Sequence, residues 1–281
     1  MVLSRESMAE ELKKWIDHIK GYQANDFEMM YDDWVNQSFY HLDEKVKYRF
    51  FSRLDTWLFH SHAFLQGTSF QNDARERILK IGRIFNNEIE EINDMKELSI
   101  DQLTYIAEQQ VARGRLYSFA QGGLTGTGGW LLLGVDFPVM MILNLRAVQL
   151  IGLTFGHEMN HPYEMLLSLK VFHAATLPKR MQSYAWEDLA AEVKNQKDPY
   201  VFEANDQLTN EKWLEQPFKQ TFKSLFILMF RKKLFQGIPL ISVGIGAYSN
   251  FQLTKQVTEF ALKFYQYRYF KMEQENGHDY T

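Results

Sequence analysis

Apolar residues recur along this chain at spacings of three and four, and strand-like alternation is scarce. Residues 5–22 place Met8, Leu12, Trp15, Ile16 and Ile19 on one stripe, and residues 43–65 repeat the pattern with Val46, Phe50, Leu54, Trp57, Leu58 and Phe64. Such spacing is that of helices with one buried face. The fold expected is therefore all-α, a multi-helix bundle of about nine or ten helices with glycine-rich hinges between some of them. Of the 281 residues 46% are apolar and 15% aromatic, enough for one sizeable core. Within one compact unit, residues 1–95 read as an N-terminal helical lobe and 96–281 as the helical core.

Breaks in the periodicity set the expected boundaries. A polar stretch, Gly67–Asp73, closes the second stripe, and 74–86 reads as a short helix. Asn87–Glu97 is acidic and reads as an exposed connection. Ser99 with Gln102 forms a capping-box pair, opening a helix to about Gln121. The run Gly122 to Gly129 follows as a glycine-rich turn, since glycine is costly inside a helix. Asp136-Phe137-Pro138 reads as the next helix start, running to Phe155 and stopping at Gly156. Pro162 opens a helix toward Thr176, Pro178 interrupts, and another helix spans about 182–194. Lys197–Asn210 reads as a surface loop, Pro217–Lys233 as an amphipathic helix, and about 250–273 as a last helix rich in Phe and Tyr.

The chain has no cysteine, which removes disulfides, thiolate nucleophiles and Cys-based metal sites. Met1 to Glu11 is charged throughout and lacks the apolar centre of a signal peptide, so a cytoplasmic protein is expected. The net charge of −4 carries no basic excess, which argues against a nucleic-acid partner.

Phe119 to Gly126 with Gly128-Gly129, then Asp136-Phe137-Pro138, then Arg146 to Ile151 ending in Phe155-Gly156, resembles the EcsC family in order and spacing. Ile238-Pro239, Gly244, Gly246-Ala247 and Asn250 are similar to its C-terminal segment, and Leu169 to His173 with Thr176 to Arg180 also resembles it. The resemblance runs over about residues 100–272 and marks Gly122, Gly123, Thr125, Gly126, Gly128, Gly129, Asp136, Pro138, Arg146, Gln149, Gly156, Pro239 and Asn250 as family-motif residues without an assigned role. Phe155 departs from the tyrosine often found before that glycine. The resemblance implies an accessory factor beside an ABC transporter and brings no catalytic mechanism and no cofactor.

His157-Glu158-Met159-Asn160-His161 spells the H-E-x-x-H string of zinc hydrolases. In those enzymes two histidines one helical turn apart hold Zn²⁺ and the glutamate activates water. Here Gly156 precedes the string and Pro162 follows it, and a residue before proline is driven out of the helical region. The string is therefore expected in a loop. Glu164 and Leu167 stand at two positions of the longer three-histidine form, and Glu187 is a distant candidate ligand that nothing singles out. A zinc-dependent hydrolase using His157, Glu158 and His161 is the enzyme alternative. His60 and His62 fall on different helix faces, and His173 on an apolar helix reads as a core residue.

No lysine follows the glycine run in P-loop register, so close helix packing is the better reading there. Asp136 and Arg146 are the sole charges from Trp130 to Phe155 and are expected to be capped or paired in a structural network. The helix from Pro138 to Phe155 would be about 27 Å long, short of a bilayer core of about 30 Å, with Arg146 near its centre. Surface attachment fits better. Residues 217–233 set Phe218, Phe222, Leu225, Phe226, Met229 and Phe230 beside Lys219, Lys223, Arg231, Lys232 and Lys233, a composition suited to an anionic interface.

These features point to a non-enzymatic accessory or interaction protein, peripheral at the cytoplasmic face of the membrane, with ABC transporter subunits or an anionic membrane surface as partner. A soluble binder of an apolar ligand is a further alternative.

Overall fold

The computed structural model describes residues 5–26, 29–30, 69–125, 129–194 and 242–278. They form α1 (Arg5–Lys20), α2 (Ser69–Phe85), a 3-10 turn (Ile92–Glu97), α3 (Ile100–Thr125), α4 (Gly129–Thr154), α5 (Pro162–Thr176), α6 (Lys179–Lys194) and α7 (Ser242–His278). The fold is all-α, with no strand among the described residues.

The long helix α7 is the axis of the bundle. Its Val257, Phe260, Ala261, Phe264 and Tyr265 follow helical spacing and are buried, so one side of α7 faces the core along its middle turns. Helices α3, α4 and α5 pack on it. Leu103, Ile106 and Ala107 of α3, Met141, Leu145, Val148 and Ile151 of α4, and Leu169 and Phe172 of α5 fill the same core. Helices α1 and α6 close one side through an aromatic cluster. The Trp15 and Trp186 rings lie 5.1 Å apart, edge to face, and Phe260 lies 5.5 Å and 5.6 Å from them. Such edge contacts suit the charge distribution of aromatic rings. Met8, Leu12 and Ile19 of α1 and Ile78 and Leu79 of α2 join this core.

Buried polar groups are bonded across helices. Gln266 donates to Thr104 Oγ1 (3.0 Å), linking α7 to α3. Gln182 and Gln256 both donate to the Ala175 carbonyl, an open acceptor at the end of α5.

Several expected boundaries hold. Pro162 is the first residue of α5, Thr176 its last, and α6 follows Pro178. Five readings need correction. Helix α2 begins at Ser69, because polar Ser69 to Asp73 suit the open amides of a first turn instead of breaking the helix. The stretch Asn87–Glu97 is no exposed connection. Ile89, Ile92 and Met95 recur every third residue and are fully buried, the spacing a 3-10 turn puts on one side. Helix α3 continues through Gly122 and Gly123, leaving only 126–128 between it and α4; a glycine penalty of about 1 kcal/mol each does not stop an established helix. Asp136-Phe137-Pro138 lies inside α4, which starts at Gly129. Proline removes one backbone donor, and the apolar run on both sides propagates past it. Helix α7 is also longer at each end than 250–273. The expected helix at 43–65, the loop at 197–210 and the basic segment 217–233 lie outside the described residues.

Candidate functional site

The connection from α4 to α5 builds the most charged buried region among the described residues. Helix α4 ends because Gly156 turns left-handed, at φ +80°. The His157 amide bonds the Gly152 carbonyl (3.0 Å) and the Gly156 amide bonds the Leu153 carbonyl (3.0 Å), the paired pattern of a Schellman cap. Gly156 also sits against the 3-10 turn, where a Cβ would come within 3.2 Å of the Ile92 carbonyl oxygen and closer still to Lys96. His161 is extended (φ −72°, ψ 129°) and hands over to Pro162, as proline requires of its predecessor.

This geometry disposes of the zinc string as a helical motif. His157 and His161 lie in the loop on either side of a turn. His157 is buried with Nδ1 turned to Glu164 Oε1 (3.4 Å), whereas His161 is exposed. Glu158 is held by Arg75 of α2, whose Nη1 lies 2.7 Å from both carboxylate oxygens. The three residues of the string thus point to three different surroundings. No group of three or more metal-ligating side chains is assembled among the described residues.

What the loop does assemble is an ion-pair centre. Glu164, in the first turn of α5, receives two hydrogen bonds from Arg268 of α7, Nη1 to Oε2 at 2.6 Å and Nη2 to Oε1 at 2.7 Å. This bidentate form is the strongest that carboxylate and guanidinium make. The Arg268 guanidinium lies over the Tyr265 ring, 5.8 Å from its centre, and His157 packs on the same ring at 5.5 Å. Phe155 also stacks with the Tyr265 ring, centres 6.2 Å apart. Gly152 permits this approach: a Cβ there would collide with Met159 Cε and the Tyr265 hydroxyl.

Burial opposes every charge in the centre. It pushes His157 down to about 4, with Arg268 adding to the effect against Glu164, so the imidazole is neutral near neutral pH. Burial would raise the Glu164 carboxyl, but the His157 imidazole and the Arg268 guanidinium outweigh it and hold it well below the usual carboxylate range. With His157 uncharged, the pair to Arg268 carries that effect at neutral pH. Burial opposes the Arg268 charge as well, yet Glu164 raises its affinity for the proton overall. Lys96, reaching in from the 3-10 turn, is lowered by burial and then by Arg268. Burial pushes Tyr163 up to about 12 and Tyr265 further still, so both stay protonated. The Tyr265 hydroxyl and Arg268 Nε have no hydrogen-bond partner among the described residues.

The centre therefore ties the 3-10 turn, the α4–α5 loop, α5 and α7 together; it presents no exposed nucleophile or base. The profile of the EcsC protein family matches residues 6–270. The chain belongs to the EcsC protein family. Two curated relatives come from Bacillus subtilis (strain 168). The uncharacterized protein YdbA is 24% identical over 184 residues, 64% of this chain and 62% of YdbA. Protein EcsC is 22% identical over 179 residues, 63% of this chain and 68% of EcsC. The match to YdbA thus spans less than two thirds of that relative's length. No solved structure matches the chain.

Among the family-motif residues, Gly156 has the clearest structural task, the left-handed cap beneath His157. Gln149 is buried on α4, and Arg146 is half-buried there with its proton affinity lowered by burial. Gly122, Gly123 and Thr125 lie in the last turns of α3, Gly129, Asp136 and Pro138 along α4, and Asn250 in α7. Gly126, Gly128 and Pro239 lie outside the described residues, as do His60 and His62. His173 is only partly buried, on α5. Sequence reasoning missed Glu164 and Arg268 as a pair. The available signal was a lone arginine among Tyr265, Tyr267, Tyr269 and Phe270, a setting in which a charge needs a partner.

Proposed function

We propose that this EcsC-family chain is a non-enzymatic accessory protein that works at the cytoplasmic face of the membrane beside an ABC transporter. The observation that carries this reading is the closed character of the charged centre. His157, Glu164 and Arg268 are all buried and engaged with one another, so the titratable groups join helices instead of facing substrate. A helical body joined in this way suits a binding role. No described helix is long and apolar enough to cross a membrane, and a peripheral position is consistent with that. The five cations and eight large apolar residues of 217–233 supply the chemistry for contact with an anionic surface.

Copurification tests the reading. The full chain, tagged at its native locus and recovered from mildly solubilised membranes, is expected to bring with it the ATPase or membrane subunit of an ABC transporter. Recovery of neither, at native expression and after cross-linking in intact cells, would overturn the transporter assignment.

A further inference from the structure

Away from the buried centre, the end of α2 and the outer face of α3 expose three large apolar side chains. Ile84 is 76% exposed, Tyr105 53% and Phe85 40%. The Phe85 and Tyr105 rings meet edge to face with centres 6.3 Å apart, so the two helices present one patch. Isolated exposed apolar residues are ordinary, whereas adjacent ones framed by charge mark contact sites.

The frame is acidic. Between residues 86 and 108 there are seven carboxylates and a single lysine. Asp101 precedes Tyr105 by one helical turn and Glu108 follows by three residues, which sets both beside the ring. Glu97 is bound by Asn86, the residue after Phe85 (3.2 Å), and Glu88 is exposed just beyond. On α2, Lys80 lies one turn before Ile84, and Arg83 is engaged, donating to the carbonyls of Ile89 (2.8 Å) and Glu90 (3.4 Å). The lysine within the stretch, Lys96, is partly buried and feels Arg268 and Glu164 of the ion-pair centre, the first against its charge and the second for it.

We infer that this patch is a docking face for a basic amphipathic protein segment. Its apolar residues would cover Ile84, Phe85 and Tyr105 while its Lys and Arg side chains meet the carboxylate rim. Aromatic anchors inside a charged rim are how such contacts combine affinity with orientation. The same carboxylates repel an anionic lipid surface. Segments rich in Lys and Arg flank membrane spans on the cytoplasmic side, so the partner's chemistry is that of a membrane protein's cytoplasmic flank. The inference rests on the accessory reading for where the partner lies and on the patch alone for its chemistry.

The test uses the full chain and a fluorescent amphipathic peptide of Lys, Leu and Phe, beside a control with every Lys replaced by Glu. The Lys peptide is expected to bind, more weakly as salt rises. Binding should fall by about tenfold or more in Ile84→Ser with Tyr105→Ser, and likewise in Glu88→Lys with Glu108→Lys. These side chains are exposed, and unchanged melting would show that the variants fold. Equal binding by the Glu peptide, or undiminished binding by both variants, would overturn the inference. So would phosphatidylserine vesicles that bind the wild-type chain, bind Glu88→Lys with Glu108→Lys more strongly and fail to bind Ile84→Ser with Tyr105→Ser, because the face would then belong to lipid. The peptide assay contains no transporter, so failed copurification with intact peptide binding would remove the transporter assignment alone, and the reverse result would remove only the docking face.

Discussion

Arg268 on α7 and Glu164 on α5 are separated by 104 residues in sequence, yet meet through two hydrogen bonds of 2.6 and 2.7 Å in the protein interior. Either charge alone would be stranded in a medium that solvates it poorly. The pair is thus a constraint on how the end of α4, the start of α5 and the middle of α7 come together.

Removing one partner should therefore cost more than removing both. Arg268→Met or Glu164→Leu is expected to destabilise the fold by roughly 3–5 kcal/mol. Glu164→Leu combined with Arg268→Met should cost less than the sum of the single changes, because no charge is then left buried alone. Denaturant unfolding of the four proteins measures this; strict additivity would show that the two side chains are not coupled.

Two glycines near the centre should resist replacement for different reasons. Gly156→Ala forces a side chain into the left-handed region and against the 3-10 turn, at a cost of about 1–2 kcal/mol or more. Gly152→Ala places a methyl group against Met159 and Tyr265 and is expected to cost about 1–3 kcal/mol by overpacking. Thermal melting of each variant checks both, and no loss at Gly152 would mean that α4 and α7 can separate freely there.

His157 makes stability depend on pH. Its folded value of about 4 lies below the ordinary 6.5, so the unfolded chain binds the extra proton first. The contribution is full above pH 6.5 and is lost as pH falls from 6.5 towards 4. The loss amounts to about 3 kcal/mol by linkage. Glu164, held low in the fold, adds a further loss below its unfolded value of 4.5. His157→Gln is expected to flatten the slope between pH 6.5 and 4; an unchanged slope would contradict burial of a neutral imidazole.

The loop position of His157, Glu158 and His161 carries its own expectation. Protein purified without a histidine tag should hold no stoichiometric zinc, and a chelator should leave its melting temperature unchanged. Zinc near one equivalent, lost in His161→Ala, would contradict the assignment of His157 to Glu164 and of Glu158 to Arg75.

The punctuation of the central segment was legible because it is local. Gly156 and Pro162 act on their own backbone and nearest neighbours, so the end of α4 and the limits of α5 follow from residue type, whereas α6 starts directly after Pro178, at Lys179 and not at about 182. The same local logic misplaced a helix start at Asp136-Phe137-Pro138, because proline inside a strongly apolar run interrupts one bond and not the helix. The acidic look of Asn87–Glu97 hid the three-residue spacing of Ile89, Ile92 and Met95, which packing converts into a core element. The ion-pair centre was not legible in the same way. Asp136 and Arg146 drew notice as lone charges in an apolar stretch, whereas Glu164 and Arg268 become partners only once α5 and α7 are packed. The family pattern of glycines was visible in full, and among its members Gly156 gains a specific task from the structure.

The most direct test of the account is fractionation of native cells, with salt and detergent washes of the membrane pellet. A chain that sediments with membranes and is released by high salt is the expected result, since the contact proposed is peripheral and electrostatically assisted. A chain found wholly in the supernatant at native levels would contradict a stable accessory role at the membrane.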